Sequence, residues 1–259
     1  MASCVVRGLL TLGTLVAAAA ASFPRCPADT VQTKSVARAQ EECVGYLGIP
    51  RARLAVYGEY IYPDDAETHR MVRCMGLNLG WWSDADGVQG PAIRSFFQPD
   101  PDDSQYERRT YHCLRSQRLD CATPHGDPGA RAYESFRCYY EQYGNIVATP
   151  QFVPLSGLQL SDVVLRCADI LQVPGACAAT PSQHAIDCFG RCVLLRTGLY
   201  TDRHGPCLER LYVQCNNYAN ETRFRETTGA CYRQLKAECP DECTLAGRFL
   251  RECFDEGAF

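Results

Sequence analysis

Seventeen cysteines in 259 residues constrain this chain more than any other feature. One of them, Cys4, falls in an expected leader. Met1 to about Ala21 carries one basic residue, Arg7, then the apolar run LLTLGTLVAAAAA and small residues suited to cleavage near Ala21 or Ser22. That is a secretory signal pattern, too short and too alanine-rich to span a bilayer. Sixteen cysteines then remain, an even number in a chain bound for an oxidising space. At this density they read as a disulfide framework rather than as metal ligands or nucleophiles.

The cysteines repeat. RCMGLNLGWWSDADG (residues 73–87) and RCVLLRTGLYTDRHG (191–205) align without a gap, sharing Arg-Cys, Leu, Gly, an aromatic, Ser or Thr, Asp and a closing Gly. Cys43 opens CVGYLGIP and Cys167 opens CADILQVP, and thirty-eight residues lie between Cys74 and Cys113 as between Cys192 and Cys231. Cys138 and Cys253 each stand near the end of a half. One ancestral unit used twice is the simplest account. The expected division is a leader over 1–21, a first domain over 22–146, a linker over 147–157 and a second domain over 158–259.

Within each unit the pattern is helical. Met71, Cys74, Met75 and Asn78 fall on one stripe, as do Cys188, Cys192, Leu195 and Leu199, and each segment stops at a glycine, Gly80 or Gly198. RAYESFRCYYEQYG also reads as a helix, with Tyr133, Phe136, Tyr140 and Tyr143 along one side. Alternating strand-like runs are nearly absent, so the expected class is all-α, two tandem disulfide-stapled domains.

Cys167, Cys188, Cys192, Cys231, Cys243 and Cys253, six cysteines over a secreted helical unit, resemble the insect odorant-binding protein family. The wording GLNLGWW and RAYESFRCYYEQYG is similar to the mosquito two-domain members, relatives of the long salivary proteins of blood-feeding flies. The resemblance implies about six helices around an apolar cavity in each domain, with the pairs Cys167–Cys192, Cys188–Cys243 and Cys231–Cys253. In the first unit it implies Cys43–Cys74 and Cys113–Cys138. The third bridge is lost there with both partners, because Arg70 and Gly129 stand where its cysteines would be. Cys26, Cys121, Cys177, Cys207, Cys215 and Cys239 lie outside the framework and allow fifteen pairings. Cys26–Cys121 would supply a substitute clamp. Cys207 and Cys215, about 12 Å apart on a helix, each need another partner.

The expected activity is reversible binding of a small hydrophobic or amphipathic molecule, with an olfactory receptor or a second copy as further candidate partners. Candidate ligand-lining residues are Met71, Leu77, Trp81, Trp82, Tyr133, Phe136, Tyr140 and Tyr143 in the first unit. In the second they are Leu195, Tyr200, Leu245 and Phe249. The aromatic stripes could equally be packed core, and no ionic anchor stands out. Two rivals remain: a salivary scavenger of host amines or lipid mediators, using carboxylates such as Asp187, Asp202 and Glu209, and a protein-binding module with filled cavities.

Other chemistry is excluded on the residues. Removing Arg7 from 26 basic residues leaves 25 against 30 acidic ones, scattered singly or in pairs, with no stripe for a phosphate backbone. Nucleic acid and membrane are therefore not expected partners, and no cofactor is expected. No metalloprotease, nucleophile-elbow or P-loop pattern occurs, so an enzyme is not expected. An EF-hand loop placed on Gly87 would need ligands at Trp82 and Ile93, which cannot bind calcium. The turn reading has Asp84 and Asp202 bonding local backbone amides while Gly87 and Gly205 supply positive φ. His184, Cys188 and Cys192 could be drawn as a zinc face, but oxidation removes the thiolates. Asn220-Glu-Thr222 is a glycosylation acceptor.

Overall fold

The computed structural model describes residues 32–116, 126–172, 181–215, 220–239 and 241–254. The expected leader and Cys26, Cys121 and Cys177 lie outside these. The chain divides into two compact units, one spanning Gln32–Pro154 and the other including Leu155–Phe259.

The described residues of the first unit begin with β1 (Thr33–Lys34) and form six helices: α1 (Val36–Tyr46), α2 (Arg51–Gly58), α3 (Ala66–Leu79), α4 (Gly90–Arg94), α5 (Tyr106–Ser116) and α6 (Pro128–Tyr143). Between them lie two-residue strands, β2 (Trp82–Ser83), β3 (Gly87–Val88), β4 (Phe97–Gln98), β5 (Asn145–Ile146) and β6 (Gln151–Phe152). β1 pairs with β6, β2 with β3 and β4 with β5, all antiparallel. Residues 147–157, expected as the linker, thus contribute β6 to the first unit.

The second unit has α7 (Gly157–Ile170), α8 (Gln183–Arg196), a β7–β8 hairpin (Tyr200–Thr201, Gly205–Pro206), α9 (Leu208–Cys215), α10 (Glu221–Glu238) and α11 (Glu242–Arg248). α11 runs into a π-helical turn, Phe249–Cys253. The class is all-α in two tandem units, as expected.

The five framework bridges are Cys43–Cys74, Cys113–Cys138, Cys167–Cys192, Cys188–Cys243 and Cys231–Cys253, the same pairs that the resemblance implies. Cys207 and Cys215 are each disulfide-bonded. Cys239 is a half-buried free thiol, its Sγ 3.7 Å from the Arg248 guanidinium rather than against another sulfur.

The repeated stretch that ends α3 and α8 is a tied helix end. Gly80, at φ 72°, stops α3, and Gly198 follows α8 at φ 67°. The chain then turns through a hairpin whose Gly87 and Gly205 both take φ 79°, a region that favours glycine. Asp84 and Asp202 correct the turn reading. They do not cap local amides; each takes a two-pronged bridge from the arginine just before the helix cysteine. Arg73 Nε donates to Asp84 at 2.8 Å and Arg191 Nε to Asp202 at 2.9 Å. An Arg-to-carboxylate fork fixes orientation as well as distance. The fork therefore ties the hairpin to its helix in both units.

Helix caps supply the remaining local order. Asp65 accepts from Thr68 N at 2.8 Å at the start of α3 and also binds Arg53. Partial burial pushes its carboxyl up, but the Thr68 amide and the Arg53 guanidinium outweigh that and hold the pKa at about 2. A depressed carboxylate stabilises the fold above its unfolded pKa, roughly 4, and loses that contribution as pH falls through the folded value. Asp65→Ala is expected to cost about 1 kcal/mol at neutral pH. Urea unfolding between pH 5 and 2 should show a shallower acid decline for the variant than for the parent.

Candidate functional site

Three places could hold a small molecule: the aromatic interior of each unit and a groove on the second. In the first unit α6 packs against α3 and presents Tyr133, Phe136, Tyr139 and Tyr143 to the interior, all buried. Trp81 stacks on Phe136 at 5.8 Å between ring centroids and lies over Gly76, where a Cβ would meet its ring at 2.9 Å. Met71, also on α3, is fully buried. Trp82 is pinned: its Nε1 donates to Asp84 at 2.9 Å, and Arg131 sits 5.5 Å from its ring centre.

Tyr62, absent from the sequence candidates, enters this cluster from the α2–α3 loop. Its ring meets Phe136 edge-on at 4.9 Å and Tyr140 at 5.8 Å, and its hydroxyl accepts from Gln40 Nε2 at 2.7 Å. Burial raises its pKa far above the ordinary phenol value. Tyr133 and Tyr140 hold the same loop by donating to the carbonyls of Tyr62 (2.9 Å) and Tyr60 (3.0 Å). Those two phenols therefore bind backbone, and the first interior is filled ring against ring. Leu77 is 46% exposed on the outer side of α3, so it belongs to the surface rather than to this interior.

In the second unit Tyr200, Leu245 and Phe249 are all buried. The Tyr200 and Tyr232 hydroxyls lie 3.3 Å apart, and Tyr232 meets Phe249 edge-on at 5.7 Å. Here too the candidates make up a packed core. Burial pushes the Tyr200 phenol well up, so both hydroxyls stay neutral.

Among the described residues, open space lies on the surface of the second unit. A groove of about 450 Å³ runs between the end of α7 and the face of α8, lined by Ile170, Leu171, Leu195, Arg191, Arg196 and the Cys188, Cys192 and Cys243 sulfurs. That volume falls within the usual small-ligand range. Ile170 is 55% exposed. Of the sequence candidates, only Leu195 lines the groove. Two arginines, Arg191 and Arg196, also line the groove, although no ionic anchor stands out in the sequence. A signal was present: Ile170 follows Cys167 off the core stripe of α7, whose buried residues are Leu160 and Cys167.

The carboxylates suggested for an amine are already engaged by arginines. Asp187 is buried against Arg251 and accepts from Gln183 at 2.9 Å, Asp202 is bound to Arg191, and Glu209 lies 2.7 Å from Arg225. His184 sits beside Cys188 and Cys243, but those sulfurs are bonded to each other and neither is a thiolate ligand. Asn220 is exposed at the N-cap of α10, with its Oδ1 accepting from Arg223 N. Among the described residues no helix is long and apolar enough to cross a membrane.

Comparison with known proteins places this architecture. The sequence profile of the PBP/GOBP family matches residues 28–142 and again residues 166–256. General odorant-binding protein 69 of Anopheles gambiae is 29% identical over 210 residues, covering 74% of this chain and 89% of that protein. Crystal structures of odorant-binding protein 22a of Anopheles gambiae align with 40% of this chain. One, solved with the odorant cyclohexanone bound, has 28% identity over 88% of its own chain and a TM-score of 0.33. Another has 29% identity over 96% of its chain and a TM-score of 0.34.

Proposed function

Since the chain belongs to the PBP/GOBP family, matched once in each half, we propose that it is a secreted carrier that reversibly binds small apolar or amphipathic molecules. The observation that carries this reading is the groove between α7 and α8. A ligand entering it leaves water for walls of Ile170, Leu171, Leu195 and disulfide sulfur, and apolar burial at about 25 cal/mol per Å² supplies the main driving term. No bond is made or broken, and release follows from dilution. Odorants are the ligand class that the family name suggests, and delivery to an olfactory receptor is the role that would follow.

Two disulfides wall the groove: Cys188–Cys243 directly, and Cys167–Cys192 through Cys192. They hold α8 against its neighbours without requiring apolar filling between them. An amine-binding role has less support, because Asp187, Asp202 and Glu209 each already face an arginine. The ring-against-ring interior of the first unit does favour a second reading for that half, a packed module that binds no small ligand.

A fluorescence titration of the oxidised chain with N-phenyl-1-naphthylamine tests the carrier reading. Saturable enhancement at micromolar probe, lost on reduction of the disulfides, is the expected result. No saturable signal would turn the search towards protein partners.

A further inference from the structure

The two copies of the unit differ in charge on the face that bears the groove. In the first, the position 118 residues before Arg196 is Asn78, whose Nδ2 donates to Glu42 at 2.8 Å while Lys34 binds both. In the second, the position 124 residues after Glu42 is Arg166. A neutralised cluster on one copy is thus matched by Arg166 and Arg196 on the other, while Arg191 has its counterpart in Arg73, in a chain whose formal net charge is −4.

The three arginines are not equivalent. Arg166 lies 2.8 Å from Asp162 on the exposed side of α7. Arg191 is forked onto Asp202, with Glu242 adding to the negative field around it. Arg196 is exposed and lines the groove beside Leu195, and no carboxylate lies within ion-pair distance of it among the described residues. An apolar trough lined also by an arginine with no carboxylate partner matches a molecule with an alkyl body and an anionic end.

We infer that the second-unit groove selects amphiphiles with an anionic head, of which alkyl carboxylates are the simplest, with the chain along Ile170, Leu171 and Leu195 and the carboxylate at Arg196. This rests on the carrier reading and adds the head-group chemistry to it. At the position matching Arg196 the first unit has Asn78, neutral and already bonded to Glu42. A purely structural role for Arg196 is the rival account. It stands in the last turn of α8, where a cation is favourable to the helix dipole. That role would affect thermal stability without ranking ligands.

The test uses the full oxidised chain and three probes below their micellar concentrations: dodecanoate, dodecanol and dodecylammonium, each displacing N-phenyl-1-naphthylamine. Dodecanoate is expected to bind about fivefold more tightly than dodecanol, the scale of one solvent-exposed ion pair. Arg196→Gln should erase that preference, and Arg196→Glu should shift it to dodecylammonium. Equal binding of all three by the parent, or a carboxylate preference surviving in Arg196→Gln, overturns the inference and leaves the carrier reading intact. Failure of the probe and of all three dodecyl compounds overturns both.

Discussion

Replacing Trp81 with alanine is expected to lower the unfolding free energy of the first unit by about 3–5 kcal/mol, the range for deleting a fully buried large aromatic. Trp81 is 1% exposed, stacks on Phe136 and closes over Gly76. Its neighbours cannot collapse into the space. Phe136 is held by Tyr62 and Tyr140, the Tyr62 loop by two phenol-to-carbonyl bonds, and α3 by Cys43–Cys74. The chain has two tryptophans, both in this unit, so Trp82 emission still reports on it in the variant. Urea unfolding followed at that wavelength gives the cost directly. A loss under about 1 kcal/mol would mean that the first interior is loosely filled. It would then be the better candidate for ligand.

The double substitution Cys188→Ser, Cys243→Ser is expected to act on stability and binding together, and on the second unit alone. The bridge spans 55 residues of sequence. Chain-entropy reasoning assigns a loop of that length about 4 kcal/mol, within the usual spread for native disulfides. Both sulfurs also line the groove, so probe affinity should fall with stability. The first unit, where Arg70 and Gly129 stand in place of this bridge, should show an unchanged tryptophan transition. Calorimetry with the probe titration measures both effects. Full probe binding in a destabilised variant would place the ligand somewhere other than between α7 and α8.

Much of the fold was legible because disulfide spacing and internal repetition are long-range signals written locally. Cys188 and Cys192, four apart on one helix, place two clamps on one face whatever lies around them. The helix stops at Gly80 and Gly198 follow from the backbone freedom of glycine, and Gly87 and Gly205 from positive φ. The Asp84 and Asp202 partners were missed although the repeated Arg-Cys and Asp stood in the same aligned segments. Pairing them needs the hairpin to fold back over the helix, which residue spacing does not show.

The candidate site was less legible. A stripe such as Tyr133, Phe136 and Tyr143 carries one signal whether its rings face a cavity or one another. The element that decides, Tyr62, comes from a loop with no period of its own. Leu77, a candidate that stands off the stripe of Met71, Cys74 and Met75, points outward, since one residue's step around α3 separates it from the buried Gly76. Arg196 could be noticed only against Asn78, once both positions were seen to sit on equivalent faces.

The carrier reading is tested most directly by the methyl NMR spectrum of the oxidised chain with and without saturating N-phenyl-1-naphthylamine. The account predicts shift changes concentrated on the methyls of Ile170, Leu171 and Leu195, with Leu79 and Ile93 of the first interior unmoved. Changes confined to the first interior, or none at saturating probe, would contradict it.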